Sequence, residues 1–385
     1  MSNFEVCHSI YDIPEAAWNA LYQDIIPAGY PFLDYRFLSA LEDSGCISAA
    51  ADHASGWQPC YLTDNNYSLI VPAYLKQHSY AEYVFDWSWA DAYHRYGLEY
   101  YPKLLWAMPF TPASGPRLLG QPQDLLKAAS WVQEYINQQE MSGWHLNFTD
   151  PATTSELAAQ PNLVKRTGCQ FHWFNRDYTS FDHYLEHFVS RKRKSVRKER
   201  KRIAEQGLTL ERKTGEQISE EDIEFFYRCY RNTYRQRAST PYLNRAFFRQ
   251  LLATMADKIL LVSAFHQSSG HEQKQPVAAA LYFYDSETLY GRYWGCTVEF
   301  DALHFETCYY QGIEFCIENN LKRFDPGTQG EHKISRGFEP VFTHSFHQLR
   351  QPEFQQAIKE FAQQEQEHVE AYFGDASELT PFHRE

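Results

Sequence analysis

The order of helix and strand patterns most restricts the fold of this 385-residue chain, because a similar order occurs twice. In each half, apolar residues at helical spacing are combined with several short β-type segments. The helical segments are 15–25, 32–45, 89–97, 123–139, 181–207, 220–237, 244–257, 303–320 and 353–373. The strand segments are 58–64, 67–76, 80–87, 103–110, 143–148, 170–178, 208–213, 258–266, 275–285, 288–295 and 322–327. This order predicts an α/β chain of the α+β type, with mixed, largely antiparallel sheets flanked by helices.

A polar segment that contains several Thr and two Pro residues, 149–168, separates the two halves. Such a composition is typical of a connection between domains. We therefore predict an N-terminal domain of residues 1–160 and a C-terminal domain of residues 161–385. The length agrees with two domains, at roughly 150 residues for each domain.

Composition restricts the compartment and the partners. The first residues lack a basic segment followed by an apolar one, and no apolar run approaches the ~18 residues of a membrane helix. The eight cysteines are scattered, without a C-x-x-C pair, which is typical of reduced thiols. We therefore expect a cytoplasmic protein without a transmembrane segment. A net charge of −13 argues against a protein that coats nucleic acid with its whole surface.

One segment is strongly basic, although the chain as a whole is acidic. Residues 191–202, RKRKSVRKERKR, contain nine Lys or Arg and one Glu, so they contribute +8 and the rest of the chain sums to −21. Helical spacing predicts a basic helix at 189–206. The run is either a solvated charged helix or a site for phosphate or an RNA backbone, because like charges in three turns repel until an anion binds.

A second polar segment, FDPGTQGEHKISRGFEP at 324–340, follows a predicted strand. Gly327 and Gly330 frame a turn whose backbone N–H groups are suited to an anion or an oxyanion. The alternative is an ordinary turn with surface charges. The candidate functional side chains of this segment are Asp325, Gln329, Glu331, Lys333 and Arg336.

Several motifs are absent. The chain has no G-x-S-x-G, no G-x-x-x-x-G-K-[ST] and no H-E-x-x-H. The pair His344 and His347 has an H-x-x-H spacing but lies on a predicted strand, so we expect no bound metal.

These stretches resemble the Fem-type aminoacyltransferases, which build peptidoglycan interpeptide bridges. SRKRKSVRKERKRIAEQGLTL resembles their basic helix, TLYGRYWG their Y-L-Y-G strand, and HKISRGF their closing F-K-x-x-F-G motif. DWSWADAYHRYGLEYYPKLLWAMPFTPASGPRLL and FHWFNRDY are similar to a bacterial family of Fem-like proteins of the GNAT superfamily, described as N-acyltransferases. The chain is therefore identified as a member of this Fem-like group.

The resemblance implies two tandem GNAT-like acyltransferase domains and the transfer of an acyl or aminoacyl group to an amine. By position in the closing motif, Lys333 is expected near the reacting centre. The basic helix is expected to border the cleft for an anionic substrate, with Arg193, Arg197 and Lys198 as contacts. No counterpart of the helical hairpin inserted in many Fem enzymes is found.

A weaker similarity lies at residues 109–126. Arg117-Leu-Leu-Gly120, just before a predicted helix, partly resembles the pyrophosphate loop R/Q-x-x-G-x-G/A of GNAT enzymes. Backbone N–H groups at the start of a helix are suited to phosphates. Arg117 and Gly120 are therefore candidate contacts for acyl-CoA, and a Pro- and Gly-containing connector is the alternative.

The residues together predict an N-acyltransferase whose active half is the C-terminal domain. Lys333 is expected to contact the oxyanion or a carboxylate, and Asp325 or Glu331 to act as the base. Tyr290 or Tyr293 is expected to position the acceptor, and Trp294, Gln329 and Arg336 are further substrate contacts. We expect no tightly bound cofactor, with acyl-CoA or aminoacyl-tRNA as co-substrate and a small molecule or a cell-wall precursor as acceptor. The alternative is a non-catalytic protein that recognises RNA or a peptidoglycan precursor through its basic helix.

Overall fold

The computed structural model describes residues 4–50, 53–267, 274–328 and 330–383. Within these residues the helices are α1 (Glu15–Ile25), α2 (Tyr35–Asp43), α3 (Trp87–Arg95), α4 (Leu125–Gln138), α5 (Pro151–Ala158), α6 (Phe181–Glu186), α7 (Ser190–Glu205), α8 (Glu220–Gln236), α9 (Arg245–Met255), α10 (Leu303–Phe305), α11 (Gln311–Glu318) and α12 (Pro352–Glu378). The strands are β1 (Glu5–Cys7), β2 (Trp57–Pro59), β3 (Tyr61–Thr63), β4 (Ile70–Val71), β5 (Tyr74–Lys76), β6 (Lys103–Trp106), β7 (Gly143–Asn147), β8 (Val164–Phe174), β9 (Leu208–Thr214), β10 (Ile259–His266), β11 (Gln275–Tyr284), β12 (Thr288–Cys296), β13 (Arg323–Asp325) and β14 (Glu339–Leu349).

The first compact unit consists of Met1–Cys169 and Phe342–Tyr372. Its larger sheet has the order β2-β5-β6-β7-β14, in which β6 and β7 are parallel and the other neighbours antiparallel. A small antiparallel sheet has the order β1-β3-β4. The core is rich in aromatic side chains, because Trp106 and Trp144 of adjacent strands are buried together with Trp131 of α4.

The second compact unit consists of Gln170–Val341 and Phe373–Glu385. Its sheet has the order β8-β13-β12-β11-β10-β9, in which only the β12–β13 pair is parallel. Two glycines bring helices close to this sheet. A Cβ at Gly312 of α11 would lie 2.6 Å from the Phe324 ring, and one at Gly295 would lie 2.0 Å from the carbonyl oxygen of Cys229 in α8. Larger residues at these two positions would therefore force the helices away from the strands.

The predicted α/β class with mixed, largely antiparallel sheets flanked by helices is confirmed. The compact units differ in extent from the predicted domains 1–160 and 161–385, because the first unit runs to residue 169 and regains residues 342–372. The physical reason is strand pairing, since Ser345–Leu349 of β14 pair with Asn147–Gly143 of β7. That each half is a GNAT-like domain stays a prediction.

Three predicted segments have a different local structure. Residues 80–86 form no strand, because Ala81 and Tyr83 have positive φ angles that an extended strand excludes. The predicted helix 181–207 is two helices, α6 and α7, which end and begin on either side of 187–189. The predicted helix 303–320 contains a π-helical turn, Glu306–Tyr310, between α10 and α11.

Candidate active site

Lys333 lies in the second unit, in a 3₁₀ helix that spans Glu331–Arg336. Its side chain is buried, with 1% of the residue exposed, and its Nζ donates to the carbonyl oxygen of Gly327 at 2.5 Å. Burial lowers the pKa of Lys333 to about 8, and the nearby Asp325 partly offsets this effect. An ammonium group with a pKa near 8 is suited to contact a developing negative charge, because it has further N–H donors beyond the one bonded to Gly327.

Two glycines bound the loop that carries Lys333, residues 330–337, which is here called the lysine loop. Gly330, at the start of the 3₁₀ helix, has a φ of 115°, and Gly337, at its end, has a φ of 85°. A Cβ at Gly337 would lie 1.8 Å from the hydroxyl oxygen of Tyr184, which donates a hydrogen bond to the carbonyl oxygen of Arg336. The tight closure of this turn therefore requires glycine.

Asp325 holds the other side of the lysine loop. Its Oδ1 accepts a hydrogen bond from the backbone N–H of Gly327 at 2.9 Å and lies 3.5 Å from Nε2 of His172. Burial lowers the pKa of His172 to about 4, although Asp325 opposes this effect, so the imidazole is neutral at neutral pH. Because the carboxylate is buried and already bonded, the structure supports a positioning role for Asp325 more than the predicted role as base.

Two imidazoles and several aromatic rings surround the lysine loop; this aromatic wall consists of Trp294, His304, Phe305, Tyr309 and His332. Nε2 of His332 lies 2.8 Å from the hydroxyl of Tyr309. The ring of His304 lies 5.3 Å from that of Trp294 and 5.9 Å from that of His332. His332 is exposed whereas Tyr309 is buried. The wall therefore presents a polar imidazole edge to solvent over an apolar base.

The pKa values of both imidazoles in the wall are lowered. Although His332 as a whole is exposed, partial desolvation of its ring, followed by the charges of Arg336 and Lys333, lowers the pKa of His332. Burial also lowers the pKa of His304 to about 4, with smaller effects of His332, Arg336, Lys333 and Arg237. Both rings are therefore neutral at neutral pH, the form in which an imidazole accepts a proton.

The sequence pattern does not predict a role for His304, and it gives His332 only as one of the polar groups of the 324–340 turn. The two residues are 28 positions apart, as their numbers show, and only the return of the chain through β13 brings them together. The one local signal was the position of His332 next to Lys333.

Arg336, predicted as a substrate contact, has a structural role. Its NH1 donates to the carbonyl oxygen of His332 at 2.6 Å, and its NH2 to Glu199 of α7 at 2.9 Å. The guanidinium carbon lies 3.4 Å from the centroid of the Phe305 ring. Arg336 is buried, so it ties the lysine loop to the basic helix and does not reach solvent as a free ligand contact.

The remaining predicted residues of this region divide by environment. Trp294 belongs to the aromatic wall, whereas Tyr293 packs against Tyr230 and Phe248 in the core beneath α8 and α9. The hydroxyl of Tyr290 donates to Asp285 at 3.0 Å, so this tyrosine is engaged elsewhere than at Lys333. Glu331 is exposed at the start of the 3₁₀ helix, and Gln329 lies outside the described residues.

The basic run forms α7, as predicted, and part of its charge is neutralised. Arg200 donates to Glu306 at 3.0 Å and to Glu314 at 2.7 Å, and its guanidinium lies 4.4 Å from the Phe181 ring centroid. The other ion pairs are Arg197–Asp182, Lys201–Glu205 and Arg202–Asp301. Five cations form no ion pair within the described part of the chain: Arg191, Lys192, Arg193, Lys194 and Lys198.

These contacts divide the predicted ligand residues of α7. Arg193 and Lys198 have no described acidic partner, whereas Arg197 is 3.0 Å from Asp182, in a pair that is exposed on both sides. An exposed pair of this kind contributes little to stability and is easily exchanged for another anion. That Arg193, Arg197 and Lys198 border a ligand cleft stays a prediction.

Replacement of Arg200 by Ala is expected to lower the free energy of unfolding by roughly 2–4 kcal/mol, because Glu306 is buried and would lose its charged partner. The matched control is Arg193→Ala in the same helix, which is expected to change it by less than about 0.5 kcal/mol. Denaturant unfolding of both variants measures the difference. Equal stabilities would show that the Arg200 contacts are energetically neutral.

The predicted acyl-CoA contacts lie in the first unit and are not suited to that role. Arg117 is buried, and its guanidinium donates to the carbonyl oxygens of Ala113 at 2.6 Å, Gly115 at 3.1 Å and Asn147 at 2.9 Å. A Cβ at Gly120 would lie 2.6 Å from the Leu69 side chain, so this glycine serves close packing. The prediction of a pyrophosphate loop is therefore wrong: the arginine closes its own loop.

Among the described residues, no group of three or more His, Cys, Asp or Glu side chains is arranged to hold a metal ion. No helix in the described part of the chain has the length and hydropathy to cross a membrane.

Comparison with known families gives the class of the protein. The model of the FemAB-like family, described as peptidoglycan biosynthesis/recognition, matches residues 9–384, so the chain belongs to this family. This confirms the resemblance inferred from the basic helix and the HKISRGF motif. Among curated proteins, no sequence matches the chain.

Solved structures show the same fold at low sequence identity. A crystal structure of FemX is 12% identical, with a TM-score of 0.54, and the match covers 92% of this chain and 100% of FemX. The C-terminal domain of a putative lysylphosphatidylglycerol synthetase from Agrobacterium fabrum is 9% identical, with a TM-score of 0.52 and coverages of 89% and 94%. A conserved protein of unknown function from Bacteroides thetaiotaomicron is 11% identical, with a TM-score of 0.51 and coverages of 91% and 99%.

Proposed function

We propose that this protein transfers an aminoacyl group from aminoacyl-tRNA to an amine of a peptidoglycan precursor in the cytoplasm. The observation that carries the proposal is the buried ammonium of Lys333, bonded to one described carbonyl and placed beside the neutral, exposed His332. Membership of the FemAB-like family supports the cell-wall acceptor. The name of the lysylphosphatidylglycerol synthetase, whose domain has the same fold, supports an aminoacyl group.

The chemistry assigns one task to each of these two residues. The acceptor amine attacks the ester carbonyl carbon, and the ester C–O bond to the tRNA ribose then breaks. Lys333 donates a hydrogen bond to the oxyanion of the tetrahedral intermediate. His332 accepts the proton that the attacking amine loses and returns it to the ribose oxygen as that oxygen leaves. Asp325 and Gly327 position the lysine, and Tyr309 orients the imidazole of His332.

Two features favour aminoacyl-tRNA over acyl-CoA as the donor. The candidate pyrophosphate loop at Arg117 is closed by its own carbonyl groups. The unpaired cations Arg191–Lys194 and Lys198 are spread over about two turns of α7, a length suited to a nucleic-acid backbone.

The test is a transfer assay. The protein is incubated with a pool of tRNA charged with radiolabelled amino acids and with a peptidoglycan precursor whose stem peptide carries a free amine. The expected result is label in the precursor. No label is expected there when acetyl-CoA with a labelled acetyl group replaces the charged tRNA. Label from acetyl-CoA alone would overturn the choice of donor.

The non-catalytic alternative makes a separate claim. A protein that only recognises RNA through α7 would bind tRNA with a salt-dependent affinity and transfer no label. In that case Lys333→Met would leave every measured property except stability unchanged.

A further inference from the structure

A second positively charged surface lies on α8, outside the basic run. Arg228, Arg231 and Arg235, here called the arginine ridge, are all exposed, and none forms an ion pair with a described residue. Their spacing of three and four residues places them on one face of the helix, over about 10 Å along its axis. In a chain of net charge −13 such a ridge requires an explanation.

Three cations on neighbouring elements are already neutralised. Arg245 and Arg249 of α9 bind Glu224 at 2.6 Å and 2.9 Å, and Lys213 binds Asp222 at 2.8 Å. Asp222 and Glu224 of α8 are therefore engaged by side chains other than the ridge. The helix macrodipole favours a cation at Arg235, in the last turn, but it does not explain Arg228, in the middle of the helix.

The spacing also has a cost in the free protein. Arg228 and Arg231 are three residues apart, and Arg231 and Arg235 are four apart, so like charges are neighbours on the helix surface. Like charges at these spacings repel each other and destabilise the free helix. The repulsion disappears when an anion binds along the ridge.

Aromatic rings support the guanidinium groups. The guanidinium of Arg228 lies 5.3 Å from the Phe225 ring centroid, and that of Arg231 lies 5.9 Å from the ring of Tyr227. A guanidinium held against an aromatic ring is suited to phosphate, because the ring restricts its orientation while its planar fork binds two phosphate oxygens.

The ridge leads towards the candidate active site within the same unit. Arg237, just beyond the end of α8, is exposed. Thr233, in the same half of α8 as Arg231 and Arg235, donates a hydrogen bond to the carbonyl oxygen of Trp294 in the aromatic wall at 2.9 Å. The C-terminal half of α8 therefore lies against the wall, so an elongated anion that contacts the ridge can extend to it.

We propose that the arginine ridge binds the phosphodiester backbone of an RNA whose 3′ end enters the site at Lys333. This inference rests on the proposed function, because it takes aminoacyl-tRNA as the donor. An anionic membrane is the less suitable partner. A helix that lies on a membrane exposes a wide apolar face, whereas the apolar face of α8, with Phe226, Cys229 and Tyr230, is buried.

The test compares two double variants with the same change in charge. Arg231→Ala/Arg235→Ala removes two ridge residues, and Arg245→Ala/Arg249→Ala removes two neutralised arginines of the adjacent helix. The probe is a fluorescein-labelled RNA hairpin with a single-stranded 3′ end, followed by anisotropy between about 50 and 300 mM salt. The ridge variant is expected to bind about 10- to 30-fold more weakly at physiological salt, with a log–log salt slope lower by about 1.4–1.8.

The control variant is expected to keep the wild-type affinity within about twofold, and both variants are to show wild-type circular dichroism. Equal weakening in the two variants, or none in the ridge variant, would overturn the proposal. A ridge variant that loses binding to phosphatidylglycerol vesicles but keeps the wild-type RNA affinity would also overturn the proposal. If the ridge binds RNA but the protein transfers no label, the ridge proposal is supported and the proposed function is wrong. If the ridge variant transfers label as well as wild type at limiting tRNA, only the ridge proposal is wrong.

Discussion

Lys333→Met is expected to lower kcat/KM for aminoacyl transfer by about 10²–10³-fold, the usual effect of removing one oxyanion donor. Methionine keeps the length and the apolar stem of the side chain, so the buried site stays filled. The matched control is Lys322→Met, because Lys322 is an exposed lysine of the same unit that pairs with Glu287. The control is expected to keep wild-type activity. An active Lys333→Met enzyme would remove the assigned role.

The pH profile tests the same residue in a second way. Because burial lowers the pKa of Lys333 to about 8, the ammonium loses its proton well below the usual pH for lysine, near 10.5. The charged form is the one that stabilises an oxyanion, so kcat/KM should fall as pH rises through about 8. An activity that instead rises through pH 8 would show that the neutral amine is the working form.

Lys103→Met is expected to lower the free energy of unfolding by roughly 3–5 kcal/mol, the largest stability effect that we expect for one substitution. Lys103, in β6 of the first unit, is fully buried and donates to Glu82 at 2.8 Å, to Ser79 at 2.8 Å and to Asp86. Without the lysine, the two buried carboxylates would lose the one cation that bonds to both of them. Lys127→Met, at an exposed position of α4, is the control and should cost little.

The charge explanation has its own check. Burial raises the pKa of Glu82 to about 7 even with Lys103 present. In Lys103→Met, both carboxyl pKa values should rise further, so the folded state should bind more protons than the unfolded state. The deficit should therefore shrink as pH falls from about 7 to 5. The triple variant Lys103→Met/Glu82→Gln/Asp86→Asn should recover part of the loss, and a deficit that does not depend on pH would point to packing instead.

Local pattern predicts the basic helix, which the structure confirms as α7, and it predicts Lys333 as a site residue, which stays a prediction. The basic helix follows from its composition and spacing, and Lys333 follows from the HKISRGF motif between two glycines. The aromatic wall could not be predicted, because His304 and His332 are joined only by tertiary structure. Arg117 shows the reverse error: an arginine in a Pro- and Gly-containing loop suggests an exposed contact, yet surrounding carbonyl groups bury it.

The π-helical turn is another feature that residue pattern does not reveal. Apolar spacing predicts one continuous helix over 303–320, but residues 306–310 are wound with an additional residue in the turn. Tyr309 and Tyr310, which are both buried, then each have a polar partner, since Tyr309 contacts His332 and Tyr310 donates to Glu199. Such turns are frequent at functional sites, which agrees with the position of this one beside the lysine loop.

The return of residues 342–372 to the first unit has a consequence for synthesis on the ribosome. The second segment of that unit is completed 203 residues after its first segment ends at Cys169. At 5–20 residues per second, β7 waits roughly 10–40 s for its partner strand β14 and for α12. During that interval, the edge of β7 that later pairs with β14 exposes unpaired backbone groups. Chaperones bind surfaces of this kind, and misfolded chains expose them as well. The protein is therefore most prone to aggregation while its N-terminal unit has been synthesised but is not yet complete.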